Sequence, residues 1–285
     1  MRIALINSGL GLLAPAAALH RLRPDADLVL AADPDGMPWG PRTPADIAQR
    51  ALLCARACAE LQPDVLVMAC NTGSVHALDA MRAEFEPAIP VIGTVPAIKP
   101  AAAAHQNVAI WATVATTNSA YQRRLIAEFG GSATVTPVAC PGLADAVDAG
   151  DEDAIDAAVA GAAARTPAGC QAVVLGCTEY ELAADRISRA VPGATTLGSA
   201  AAVAAQGLRR VSPEAAGSIG AGVGTVRILL SGRPSALPPA AWLYPEGRLL
   251  APLVVSPGAA DRDFDERPPD RAVPDRAVPD RAVSG

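Results

Sequence analysis

Two cysteines stand in nearly the same local setting. In "DVLVMACNTGS" an apolar run, Val65 to Met68, leads into Cys70, Asn71 and Thr72. In "AVVLGCTEYEL" the run Val173 to Leu175 passes through Gly176 into Cys177, Thr178 and Glu179. Two thiols facing one cleft can invert a carbon. One, as thiolate, removes a proton, and the other, as thiol, delivers a proton to the opposite face. A free thiol ionises near pH ~8.5, and lower at a helix N-terminus or beside a cation. Both cysteines are predicted to sit just before a helix, where backbone N–H groups can also hold a carboxylate. Asn71, Thr72, Thr178 and Ser8 add side-chain donors for a carboxylate or an amine. The same pattern also suits two buried structural thiols, and periodicity alone leaves both alternatives open.

The elements that must carry these residues alternate. Short apolar runs predict strands at 2–7, 27–31, 65–69, 90–92, 108–111, 134–138, 172–176 and 195–197. Ala-rich amphipathic runs predict helices at 12–22, 44–61, 75–85, 98–104, 119–129, 152–165, 181–190 and 200–211. Continuous apolar strands between helices imply parallel sheets covered on both faces, an α/β fold. Such folds bind ligands beyond the carboxyl ends of their strands. Asn7-Ser8-Gly9, Cys70-Asn71-Thr72 and Cys177-Thr178-Glu179 all fall at such ends.

The repetition predicts two pseudo-symmetric lobes with the site between them. Residues 1–94 form the first lobe, 199–233 return to it, and 95–198 form the second. A further strand is expected near 224–230. Beyond 233 prolines crowd in, and "DRAVPDRAVPDRAV" repeats a pentapeptide from Asp270 to Val283. Residues 234–285 therefore read as a Pro-rich, disordered tail.

Composition narrows the chemistry. Over 285 residues the formal net charge is −6, which argues against non-specific binding to nucleic acid or to an anionic membrane. No apolar run reaches transmembrane length. Asn7, Ser8, Gly9 and Gly11 interrupt the N-terminal apolar stretch, so it reads as a first strand rather than a secretory leader. The only lysine, Lys99, directly precedes Pro100, a poor place for a pyridoxal Schiff base. The six cysteines contain no CxxC pair, which argues against a thiolate zinc site. The expectation is an enzyme without cofactor or metal. Cys54 and Cys58 read as core residues, and Cys140 and Cys170 as structural.

The ordered motifs resemble the cofactor-independent aspartate/glutamate racemase family over roughly residues 2 to 210. "INSGLGLL" resembles D-S-G-x-G-G-L, "PWGPRT" resembles P-Y-G-x-R-x, and "ACNTGS" resembles A-C-N-T-A-S. "WATVATTNSAYQ" resembles the opening of the family's second lobe. "VACPGLADAVDAG" resembles A-C-P followed by V-E-x-G, and "LGCTEYEL" resembles L-G-C-T-H-Y-P. The resemblance implies Cys70 and Cys177 as the catalytic pair, with Glu179 and Asp148 as assisting acids. It implies Asn7, Ser8, Trp39, Gly40, Asn71, Thr72 and Thr178 as substrate-binding positions. The implied substrate is an acidic amino acid, glutamate first and aspartate second. A cytoplasmic isomerase supplying D-glutamate to the bacterial cell wall, and a homodimer, follow from the same likeness.

Three departures bear on this. Asn7 stands where the family has Asp, Glu179 where it has His, and Trp39 where it has Tyr. Asn7 can hydrogen-bond but not exchange a proton near neutral pH. An anion at Glu179 should raise the Cys177 pKa, or else bind the substrate ammonium. Alternatives are a hydantoin or other acid as substrate, and a non-catalytic binder of an amino acid or a protein partner. A further rival is a dinucleotide site, because "GLGLLA" fits G-x-G-x-x-A after a strand and Asp33 lies near the end of the next strand. Otherwise Asp33 and Asp35 most simply cap turns.

Overall fold

The computed structural model describes residues 1–217 and 219–256. Ten strands form two sheets: β1 (Arg2–Asn7), β2 (Asp27–Ala32), β3 (Val65–Met68), β4 (Val91–Gly93), β5 (Asn107–Ala112), β6 (Thr134–Ala139), β7 (Ala172–Leu175), β8 (Thr195–Leu197), β9 (Val226–Leu230) and β10 (Arg233–Ser235). The first sheet has the order β10-β9-β2-β1-β3-β4, and the second β6-β5-β7-β8. All pairs are parallel except β9 with the edge strand β10. The first sheet thus draws on both ends of the chain and the second on its middle.

The registers bring the unusual residues to one edge. Asn7 of β1 lies opposite Ala32 of β2, and Ile6 opposite Met68 of β3. Ser8, Asp33 and Cys70 therefore leave the first sheet side by side. In the second sheet Trp111 of β5 pairs with Leu175 of β7 and with Val138 of β6. Thr113, Cys140 and Cys177 leave that sheet together.

Every residue of β1, β3 and β7 is buried, as expected of strands covered on both faces. One apolar core runs through both lobes, joining Leu5, Leu13 and Leu30 of the first to Trp111, Val173 and Tyr180 of the second. Separate cores lie under the outer helices, at Ile47, Ala51 and Cys54 and at Ile98, Ala101 and Leu125. Each fully buried aliphatic side chain contributes about 1.5–3 kcal/mol, so the shared core holds the lobes together.

Several elements differ from expectation. The helix expected at 75–85 is two helices, Asn71–His76 and Leu78–Phe85, broken at Ala77 where φ is −118°. The one expected at 181–190 begins as a 3-10 turn, Thr178–Ala183, before the α-helix Ala184–Ala190. Helix Leu143–Ala149, flanked by Gly142 and Gly150 in left-handed conformations, was not expected at all.

The largest correction concerns the supposed tail. Residues 236–256 form a 3-10 turn at Pro239–Leu243, a helix at Pro245–Leu250 and a second turn at Ala251–Leu253. Pro239 and Pro245 open their helical turns, where a missing N–H costs nothing. Ala241, Tyr244 and Leu250 are buried in the shared core. Tyr244 Oη donates to Val147 O at 2.6 Å, tying this strap to the helix Leu143–Ala149. The pentapeptide repeat at 270–283 lies outside the described residues. Among those residues no helix is long and apolar enough to cross a membrane.

Candidate active site

The two strand edges enclose a cleft of about 420 Å³. From the first lobe it is lined by Ser8, the loop Met37 to Pro41, Cys70 and Thr72. From the second come Thr113 to Ala115, Cys140 to Gly142, Asp145, Asp148, Cys177 and Glu179. Among the described residues no Arg or Lys lines it. Cys70 and Cys177, delivered by β3 and β7, thus meet at one cavity from different sheets. Among the described residues no group of three or more His, Cys, Asp or Glu is arranged to hold a metal ion.

The two thiols have different partners. Cys70 caps the helix Asn71–His76, and its sulfur accepts from Gly73 N at 3.5 Å. Ser8 Oγ stands 4.0 Å away. Burial, followed by the negative charge of Glu179, pushes this thiol up to about 11, while the Gly73 amide and Ser8 pull the other way. Cys177 opens the 3-10 turn Thr178–Ala183 without a side-chain cap hydrogen bond, and the Glu179 backbone amide only slightly favours its thiolate. Instead its thiol donates to Glu179 Oε2 at 2.8 Å. Burial and the adjoining carboxylate hold Cys177 well above the usual thiol range.

Behind the cleft wall a polar chain links the lobes. Asn7 Nδ2 donates to Ala69 O at 2.7 Å and to Thr178 Oγ1 at 3.1 Å. Thr178 Oγ1 in turn donates to Glu179 Oε2 at 3.4 Å. Asn7 Oδ1 accepts from Gly9 N and Ser8 Oγ. Every polar atom of Asn7 is therefore used. Asn71 bridges the lobes separately, donating to Gly176 O at 2.8 Å. Glu179 Oε1 and Asn71 Oδ1 are buried without a protein partner.

Asp148 reaches in from the second lobe, and its Oδ1 accepts from Leu10 N at 2.7 Å. Burial, reinforced by the charge of Glu179, raises its pKa well above the ordinary carboxylate range. This contact explains the glycines after β1. A methyl group at Gly9 would collide with the Asp148 carboxyl. One at Gly11 would lie 2.6–2.7 Å from Thr178 Oγ1, Asn7 Nδ2 and Glu179 Oε1. The G-x-G pattern admits polar side chains of the other lobe, and they fill the space a dinucleotide would need. Asp33 is likewise engaged, accepting from Trp39 Nε1 and Ser231 Oγ at 2.9 Å each.

Comparisons with known proteins give the family. The model of the Asp/Glu/hydantoin racemase family matches residues 12–207. The chain belongs to that family. It is 34% identical over 239 residues to a glutamate racemase of Herpetosiphon aurantiacus, covering 82% of this chain and 93% of that one. It is 34% identical over 217 residues to one of Pseudomonas entomophila, covering 74% and 82%. Among solved structures it is similar to Escherichia coli glutamate racemase in complex with L-glutamate and the activator UDP-MurNAc-Ala. The TM-score there is 0.73 at 27% identity, over 85% of this chain and 91% of that one. The glutamate racemase of Thermus thermophilus in complex with β-chloro-D-alanine gives 0.66 at 25% identity, over 90% and 96%.

Against this racemase family's pattern, the expected residues divide into two groups. Ser8, Trp39, Gly40, Cys70, Thr72, Asp148, Cys177 and Glu179 line the cleft. Asn7, Asn71 and Thr178, expected at substrate-binding positions, are not among the residues that line the cleft. Asn7 and Asn71 donate across the lobes to Thr178 Oγ1 and Gly176 O, while Thr178 donates to Glu179 of its own lobe. Cys140, expected to be merely structural, is a third thiol in the lining, with its own pKa pushed by burial up to about 12. The "ACP" motif was the available sign that it approaches the site.

Proposed function

We propose that this chain interconverts L- and D-glutamate without a cofactor, passing the α-proton between Cys70 and Cys177. What supports this most directly is the meeting of two thiols, from two sheets, in one cleft of a racemase-family fold.

In the proposed reaction the substrate lies between the thiols with Cα exposed to both. One sulfur, as thiolate, takes the α-proton, and the electron pair delocalises into the carboxylate. The opposite thiol returns a proton to the other face, which inverts the centre and leaves the two thiols with exchanged protonation. Both thiols resist ionisation because burial and Glu179 disfavour the thiolates. An incoming ammonium changes that balance, since a cation nearby favours the thiolate. Glu179 supplies the matching anion, with Oε1 free of protein partners. It also accepts a hydrogen bond from the Cys177 thiol, so it is placed to take that proton when Cys177 acts as base.

Asp148, whose burial favours its protonated form, faces the substrate at the mouth of the β1 loop. Ser8 and Thr72 offer hydroxyls to the substrate carboxylates, and Trp39 and Gly40 form the wall. Asn7, Asn71 and Thr178 hold the lobes in register around the reacting centre. Excluding water strengthens each of these interactions while a weakly acidic C–H is broken. We place the enzyme in the cytoplasm as a homodimer feeding D-glutamate to the cell wall. Aspartate is the second substrate considered, because C-T-E also resembles the aspartate-specific branch.

The test is α-proton exchange in D₂O with L-Glu, D-Glu, L-Asp and D-Asp, using wild type, Cys70→Ser and Cys177→Ser. Wild type should exchange and invert glutamate fastest. Each serine variant should lose about 10²–10⁴-fold in racemisation. Exchange of none of the four by wild type would exclude the proposal.

A further inference from the structure

Asp33 has no part in the proton transfers, yet it is buried and fully engaged. It follows β2, is 1% exposed, and spends both oxygens on named partners. Oδ2 accepts from Trp39 Nε1 at 2.9 Å and pairs with Arg50 Nη1 at 3.3 Å. Oδ1 accepts from Ser231 Oγ at 2.9 Å. Burying a carboxylate costs several kcal/mol even when it is well paired. A turn cap alone does not require that.

Its main partner leads to the cleft. Trp39 sits in the lining loop Met37 to Pro41 and is itself 1% exposed. The indole lies against the helix that follows Cys70. A methyl group at Gly73 would come within 3.0 Å of Trp39 Cζ3, so ring and helix backbone are in contact. Gly73 N is the group that donates to the Cys70 sulfur. A charged acceptor fixes an indole N–H more firmly than a neutral one.

We propose that Asp33 is a positioning residue for the Cys70 side of the site: it aims the Trp39 indole, which braces the turn that presents the Gly73 amide to the Cys70 sulfur. The effect is one-sided. Cys177 belongs to the other sheet and donates its hydrogen bond to Glu179 Oε2. This role rests on Cys70 being a functional thiol, but its test does not require turnover.

The test compares Asp33→Ala, Asp33→Asn, Trp39→Phe and the double variant Asp33→Ala/Trp39→Phe in the full chain. Iodoacetamide labelling of Cys70 and Cys177 is followed in the same sample by peptide mass spectrometry, beside glutamate racemisation. With the amide displaced, the Cys70 thiolate loses support, so Asp33→Ala should slow Cys70 labelling about fivefold or more. Cys177 labelling should stay within about twofold. Asp33→Asn, which keeps an acceptor for the indole, should restore the wild-type ratio. Trp39→Phe removes both the N–H and the Cζ3 edge that lies against the Gly73 turn, so it should slow Cys70 labelling at least as much as Asp33→Ala, with the double variant no worse than Trp39→Phe. Unchanged or faster Cys70 labelling, an equal change at both thiols, or additive losses in the double variant would overturn the proposal. If Asp33→Ala does not fold, Trp39→Phe alone decides between these outcomes. A wild type that labels as described but never racemises would count against the racemase reading and leave this one standing.

Discussion

Glu179 Oε2 accepts a hydrogen bond from the Cys177 thiol at 2.8 Å, while the matching position beside Cys70 is filled by a backbone amide that donates to sulfur. The two thiols are thus held in opposite senses before substrate arrives. One is a donor to an anion, and the other is an acceptor from a dipole. This asymmetry concentrates on Glu179, whose charge acts on both sulfurs and on Asp148.

Glu179→Gln should therefore separate acidity from turnover. Removing the anion takes away a cause that raises both thiols, so the pKa values of Cys70 and Cys177 should fall. Iodoacetamide labelling of each at pH 8 should become faster than in wild type. Racemisation should nevertheless drop by about 10²-fold, because the amide cannot hold the Cys177 proton. Slower labelling of both thiols would show that the carboxylate does not suppress the thiolates.

Asn7→Asp should be destabilising even though it restores the family's residue. The amide donates to Ala69 O at 2.7 Å, and a carboxylate would set oxygen against oxygen there. Loss of that buried contact costs about 1–3 kcal/mol, more when the group is charged. Burial next to Glu179 and Asp148 should raise the pKa of the introduced carboxyl. The folded state then keeps a proton that the unfolded chain releases above about pH 4, and stability falls as pH rises. Urea midpoints at pH 5 and pH 8 check this. The deficit relative to wild type should be larger at pH 8.

Much of this site was legible because its residues lie at strand ends, and apolar runs mark strand ends well. Cys70 and Cys177 could be paired because each follows such a run. Asn7, Asn71 and Thr178 were expected at the substrate, and the structure shows them in hydrogen bonds to protein partners. Residue type announces a hydrogen bond but not whether its partner is a ligand or the opposite lobe. The glycines after β1 misled in the same way. Gly9 and Gly11 suggested a phosphate loop, whereas they make room for Asp148, Thr178 and Glu179, which come from far along the chain. The strap at 236–256 was hidden by its prolines. They signal disorder in bulk, but Pro239 and Pro245 each start a helical turn, and only burial of Tyr244 and Leu250 against distant helices distinguishes the two cases.

Alkaline pH should weaken the fold through its buried thiols. Burial pushes Cys70 up to about 11, and Cys54 and Cys140 up to about 12. An unfolded chain releases these protons near pH ~8.5. Between that pH and the folded values the unfolded state binds fewer protons, so stability declines as pH rises. Each such thiol adds a slope of about 1.4 kcal/mol per pH unit. Cys54→Ala removes one thiol that lies outside the cleft lining. Under reducing conditions, urea unfolding between pH 9 and 11 should show a shallower decline for the variant, and equal slopes would contradict the assignment.

Tyr244→Phe tests the strap. Its hydroxyl donates to Val147 O at 2.6 Å, next to Asp148 in the helix Leu143–Ala149. The same segment packs on that helix's end, where Ala240 Cβ would stand 3.1 Å from a methyl group at Gly150. Removing the hydroxyl leaves a buried carbonyl without this donor, at a cost of about 1–3 kcal/mol. The ring itself still fills the core, so the fold should survive with a lower Tm. A strap that only adds stability would leave the kinetics of the remaining folded enzyme alone. One that also sets the position of Asp148, whose Oδ1 receives Leu10 N, should raise KM for glutamate as well. Measuring Tm and KM on the same preparation separates the two, and an unchanged Tm would mean that the hydrogen bond contributes nothing to folding.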